Sequence, residues 1–221
     1  MSFSPADLSG GDAIVQVADV LAEERGAAKQ VVALVSAMAG VSDQLLDSIK
    51  HGNYASVYTK LLASHTSAAR RLARDEAARK VLIQDVADFL DSYNWLGKSL
   101  VNRTPTPAEA DTIATLGERL SARLLAANLQ GRGIQAMTLN ASELAVANSS
   151  SEERTQRIRT RLTPLLEQGY LPISTSSIGL NPLVFNLQET LQAALNTPSW
   201  FQTPFGCHLA VIILDTQCLI I

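Results

Sequence analysis

An unbroken apolar run, Val31 to Val35, passes straight into the small residues Ser36, Ala37, Ala39 and Gly40, and then into Val41-Ser-Asp-Gln-Leu-Leu46. Five consecutive apolar residues fit a strand buried on both faces. The small residues fit a tight turn, and the segment from Ser42 is compatible with a helix start. Strand-to-helix turns of this kind bring hydroxyls and backbone N–H groups to the carboxyl edge of a sheet, where α/β proteins bind ligands. Ser36 and Ser42 are therefore candidate binding residues. Each also has a plain structural role available, Ser36 as a turn residue and Ser42 as a helix N-cap.

The same alternation of helix and strand continues along the chain. Ile14, Val17, Ala18 and Leu21 mark a one-sided helix with Asp12 as cap and Gly26 near its end. Tyr54 to Leu72 and Glu76 to Leu100 read as two long helices, punctuated at Arg74-Asp75. The breaker Asn102 to Pro107 ends in Thr106-Pro-Ala-Glu109, a capping box with proline at the first helical position, which opens a helical stretch to Gln130. Gly131 and Gly133 close it ahead of a short strand, Ile134 to Leu139. Ser150 to Glu153 forms another capping box, before a helix that Pro164 interrupts or restarts. Tyr170 to Thr175 is a further strand, expected to lie parallel beside Val31–Val35. The pattern predicts an α/β fold, a three-layer αβα sandwich with a mostly parallel sheet.

Glu118 stands in a helical phrase, Leu116 to Leu129, with Leu116, Leu120, Leu124 and Ala127 on one face. Thr115 three residues earlier allows a capping box. The other reading is a carboxylate facing a cationic substrate group, with Gly117 permitting close approach. His65 lies at helical spacing from Leu61, Leu62, Ala69 and Leu72 and reads as a packed structural histidine. Gly10-Gly11 and Gly131-Arg-Gly133 are weak glycine signals, better read as a turn and a helix stop than as phosphate cradles.

Composition removes several classes. A net charge of −3 gives no electrostatic reason to bind nucleic acid or an anionic membrane, and Arg70, Arg71 and Arg74 read as a solvated helix face. Two cysteines and no charged-then-apolar leader point to a reducing cytoplasm, with no disulfide framework and no metal site. The apolar run Leu209 to Leu214 is far short of the roughly 18 residues a membrane helix needs. No Gly-x-Ser-x-Gly elbow is present for a serine hydrolase.

Taken in order, Leu34–Leu46 and Leu116–Leu129 resemble the catalytic domain of aspartate kinases, within the amino acid kinase family. Gly11 to Glu24 is similar to that family's first helix. Ala141 to Leu144, Ala-Ser-Glu-Leu here, is similar to its Asp-Ala-Arg-Glu-Leu stretch, and Arg161 to Gly179 to the segment leading to Gly-Phe-Ile-Gly. The resemblance covers about residues 10 to 179. It implies transfer of the ATP γ-phosphoryl group to the side-chain carboxylate of L-aspartate with Mg²⁺, the entry step to lysine, threonine and methionine synthesis, by a cytoplasmic enzyme that could form a homo-oligomer. By position, Ser42 matches the hydroxyl that contacts aspartate, Glu118 matches the acid that binds its ammonium group, and Ser36 shares the turn.

Two departures accompany the match. The family's opening strand ends Lys-Phe-Gly-Gly-Thr-Ser, whereas no lysine precedes Lys29 here, so the catalytic lysine is absent. After Gly179 the Gly-Arg-Gly-Gly-Ser-Asp nucleotide loop does not follow, and no cofactor-binding residue is identifiable. The expected organisation is a partial catalytic domain, 1–179, and a tail, 180–221, without family resemblance. All 18 Lys and Arg precede Leu180, while both cysteines and three of the five phenylalanines follow it. A change of reading frame would give a tail of this foreign character, and a divergent terminal segment is the alternative. Leu187 to Leu195 is a helix candidate there. Leu209 to Leu214 is a candidate to occupy the sheet position of the absent opening strand. A non-catalytic remnant that binds only an amino acid or another subunit is the alternative to the kinase.

Overall fold

A computed structural model describes residues 10–26, 30–144, 149–175, 190–191, 194–195, 200–202 and 210–214. Its centre is a five-stranded sheet in the order β2-β3-β1-β5-β4, formed by β1 (Gln30–Val35), β2 (Ala136–Leu139), β3 (Leu171–Thr175), β4 (Trp200–Gln202) and β5 (Ala210–Leu214). β1 and β3 pair in parallel, with Ala33 opposite Ile173, and β2 joins the far side of β3, also in parallel. These are the neighbours expected for the two apolar runs. On the other side of β1 lies β5, antiparallel, with Val32 opposite Ile212, and β4 pairs antiparallel with β5. A parallel core of three strands is thus extended by an antiparallel pair.

Successive residues of β1 point to opposite faces, which explains why the strand is apolar from Val31 to Val35. Val31, Ala33 and Val35 enter one core, built with α1 (Gly10–Gly26), α3 (Tyr54–Leu72), α4 (Glu76–Ser99) and α6 (Leu116–Gly131). Val32 and Leu34 enter a second core with α7 (Ala141–Leu144), α8 (Ser151–Glu167), Leu191 and Ala194. The sheet is therefore the middle of three layers. Long-range polar ties fix the helices on the larger side: Arg25 of α1 donates to the Gly169 carbonyl at 2.7 Å, and Asp12 of α1 pairs with Arg71 of α3 at 2.6 Å.

Local chemistry sets most helix ends. Thr106 and Glu109 cap each other reciprocally at the start of α5 (Pro107–Ala114), and Ser150 and Glu153 do so for α8. Asp75 accepts from the Ala78 N–H at 2.8 Å and starts α4. The stretch from Pro107 to Gln130 is two helices rather than one. Thr115 donates its hydroxyl back to the Asp111 carbonyl at 2.9 Å, so the Thr115–Glu118 capping box that the sequence allows does not form. Pro164 does not interrupt α8: it falls one turn before the end, and buried Ile158, Leu162 and Leu166 hold the helix on its core through that turn. Asp12 and Gly10-Gly11 lie inside α1 and not before it. Most of the Leu187–Leu195 segment lies outside the described residues.

Candidate functional site

Because β1, β2 and β3 run parallel, Val35, Leu139 and Thr175 end at one edge of the sheet. The chain leaves β1 through Ser36–Gly40 and enters α2 (Val41–His51). Gly40 has φ +73°, a left-handed conformation that glycine adopts freely, and it occupies the N-cap position of α2 without a side-chain bond. Ser42 is consequently not the cap. It is the second residue of the helix and is exposed, while Ser36 is half-buried directly beyond β1.

Glu118 is the third residue of α6 and only 8 % exposed, and the residue is engaged in an interaction. The residue before it explains its position. A Cβ built on Gly117 would come within 2.7 Å of both Ala37 Cβ and Val41 Cγ1, so glycine lets the first turn of α6 press onto the β1–α2 turn. Ala37 follows Ser36, Val41 precedes Ser42 and Gly117 precedes Glu118. The two backbone segments that carry the three candidate residues are thereby in contact. Ser121, one turn further along α6, is buried with an unpartnered hydroxyl, and nothing in the sequence singled it out.

On another flank of α6 the sheet edge opens into a cleft of about 340 Å³ lined by Asp111, Thr112, Thr115, Arg119, Asn140, Ser142 and Thr175, among others. Thr175 Oγ1 accepts from the Ala141 N–H at 2.9 Å, which joins the end of β3 to the start of α7. Asn140 is held by the Glu143 carboxylate through both its backbone N–H, at 2.9 Å, and its side-chain amide, at 3.1 Å. Arg119 lies against the Phe89 ring, its guanidinium carbon 4.6 Å from the ring centroid. Sequence reading missed Arg119 because its surroundings come from α4, α5 and the ends of β2 and β3, which no local spacing joins.

Gly10-Gly11 is neither a turn nor a phosphate loop. Gly10 and Gly11 are helical, and Gly11 rests on Ala68 of α3, where a Cβ would stand 3.4 Å from the Ala68 Cα. Among the described residues no cluster of three or more His, Cys, Asp or Glu side chains is arranged to hold a metal ion. No helix among them is long and apolar enough to cross a membrane.

Comparison with known proteins agrees with this architecture. Residues 4–194 match the amino acid kinase family. Among solved structures, the chain is similar to E. coli aspartokinase III in complex with aspartate and ADP, with 18 % identity, a TM-score of 0.71 and coverage of 88 % of this chain and 46 % of that one. The same enzyme in complex with lysine and aspartate gives 18 % identity and a TM-score of 0.70 over 85 % and 45 % of the two chains. At this identity the likeness carries the fold. The chain spans less than half the length of the aspartokinase chains it matches.

Proposed function

The chain belongs to the amino acid kinase family, and from that premise we propose that it carries the substrate-binding part of an aspartate kinase-like phosphotransferase, which moves the ATP γ-phosphoryl group to the side-chain carboxylate of L-aspartate. One observation supports this reading above the others: the Glu118 turn of α6 is packed on the turn that bears Ser36 and Ser42. In this reading Glu118 binds the substrate ammonium group, an interaction strengthened by its burial. The Ser42 hydroxyl contacts aspartate, and Ser36 completes the turn. The aspartokinase III structures, one with aspartate and ADP and the other with lysine and aspartate, are consistent with an amino acid at such an edge.

Phosphoryl transfer depends on positioning and on donors aimed at developing charge. ATP and Mg²⁺ belong to the proposed reaction as the family's phosphoryl donor and its counterion. Gly10-Gly11, the glycine pair ahead of β1, does not fit them, because both residues are helical. That mismatch favours a second reading, in which this chain alone binds the amino acid without turning it over.

Thermal unfolding of residues 1–221 tests the site. L-Aspartate should raise the midpoint, Glu118→Gln should remove the effect, Ser42→Ala should weaken it, and ATP should give no shift. Absence of an L-aspartate effect, or an unchanged effect in Glu118→Gln, overturns the site assignment. A coupled assay separates the two readings. Aspartyl phosphate at the level of a heat-treated control supports binding only, whereas turnover of roughly 1–100 per second establishes the kinase.

A further inference from the structure

Arg119 has an unusual position for a charged side chain. Its Nε is buried without a hydrogen-bond partner, and among the described residues no carboxylate pairs with it. Arg123, one turn along α6, shares the Phe89 ring at 4.1 Å but reaches Asp85 at 3.6 Å. Like charges four residues apart on a helix repel, and burial together with Arg123 pulls the Arg119 pKa below its ordinary value. An arginine nevertheless stays cationic at any ordinary pH. The Phe89 face offsets part of this charge; the remainder faces the 340 Å³ cleft.

The other groups there narrow what can neutralise it. Thr112 and Thr115 already donate their hydroxyls to the Ala108 and Asp111 carbonyls, and the Asn140 amide gives one of its two N–H donors to Glu143. Asp111, which also lines the cleft, is itself engaged. Thr175 Oγ1 accepts from the Ala141 N–H, which leaves its proton for another acceptor, and Ser142 adds an exposed hydroxyl. A cation and two hydroxyl donors around a small cleft suit an oxyanion. We propose that this cleft binds the carboxylate or phosphate group of a small ligand, with Arg119 as its charge partner and Thr175 and Ser142 as hydroxyl donors. Ser36, Ser42 and Glu118 do not line it, so the inference stands apart from the aspartate assignment.

The test is titration of residues 1–221 with sodium phosphate and, separately, sodium succinate, each against sodium chloride at matched ionic strength, followed by thermal unfolding and calorimetry. Saturable binding of one or both anions is expected. Phosphate alone identifies a phosphoryl group as the ligand chemistry, and succinate alone a carboxylate. Arg119→Gln should weaken binding by about tenfold or more, the scale of a lost charge-assisted hydrogen bond. Arg119→Lys, which keeps the charge but not the planar fork, should fall between. Phosphate affinity should be the same with and without saturating L-aspartate, which separates this site from the aspartate assignment. If Arg119→Gln does not fold, Arg119→Lys and Ser142→Ala carry the test. No saturation beyond chloride, or affinities unmoved in the folded variants, overturns the proposal.

Discussion

His65 has no exposed surface, yet it sits in the middle of α3. Its Nδ1 lies 2.8 Å from the Leu61 carbonyl, one turn back, so the proton belongs on Nδ1 and the ring is neutral. Nε2 is buried with no partner. A second proton there would be a charge without an acceptor, and burial accordingly pulls the pKa below its ordinary value, against a smaller opposing effect of the Leu61 carbonyl. The sign follows. Below about pH 6.5 the unfolded chain takes up a proton that the folded chain refuses, so this stability is fully present above that pH and is lost as pH falls toward the depressed folded value. Denaturant unfolding at a series of pH values should show stability falling as pH drops below about 6.5, and a shallower slope in His65→Gln. The capping carboxylates titrate lower: Glu109, held by Arg103 and the Thr106 N–H, is drawn down to about 2, so the two effects occupy different windows. A slope identical in His65→Gln would show that another group is responsible.

Two glycines decide how the helices meet. A Cβ at Gly97 would lie 2.5 Å from Tyr54 Cβ, and Tyr54 is backed by the Tyr93 ring at 6.2 Å between centroids, which leaves it little room to yield. Alanine would add about 1 kcal/mol of helix propensity, but overpacking of this kind costs about 1–3 kcal/mol, so the clash wins. Gly97→Ala should lower stability in equilibrium denaturation. Gly117→Ala should do likewise and should also weaken the L-aspartate effect, because it pushes α6 off the β1–α2 turn. An unchanged Gly117→Ala variant would mean that this close packing does not define the site. The strands β1 and β3, the hairpin of α3 and α4, and the caps at Thr106 and Ser150 were legible in the sequence because each depends on residues within one or two turns. Thr115 and Pro164 were not, since a hydroxyl turned back on the preceding helix and a buried leucine face overrode the local signals. Arg119 was hidden for the same reason, because Phe89 lies thirty positions away in another helix.

The change in composition near Leu180 is not a break in the sheet. β5, from the segment without lysine or arginine, pairs with β1 over five residues, Gln30–Leu34 against Leu214–Ala210. β1 therefore has a hydrogen-bonded neighbour on both sides, β3 and β5, while β2 ends the described sheet next to β3. A strand bonded on both edges and buried on both faces opens only with the whole domain, whereas an edge strand can open locally. Amide hydrogen exchange should be slowest in Val31–Val35 and in Leu171 and Ile173–Thr175, Pro172 having no amide hydrogen, and faster in Ala136–Leu139. The contribution of β5 can be isolated with Ile212→Pro, opposite Val32 in the register, because proline removes a backbone donor and fixes φ, which disrupts the ladder around that position. Faster exchange in β1, with β2 and β3 changed less, is the result expected if β5 is a working part of the sheet. If β1 protection is the same with and without the proline, the parallel core of β2, β3 and β1 stands without that strand.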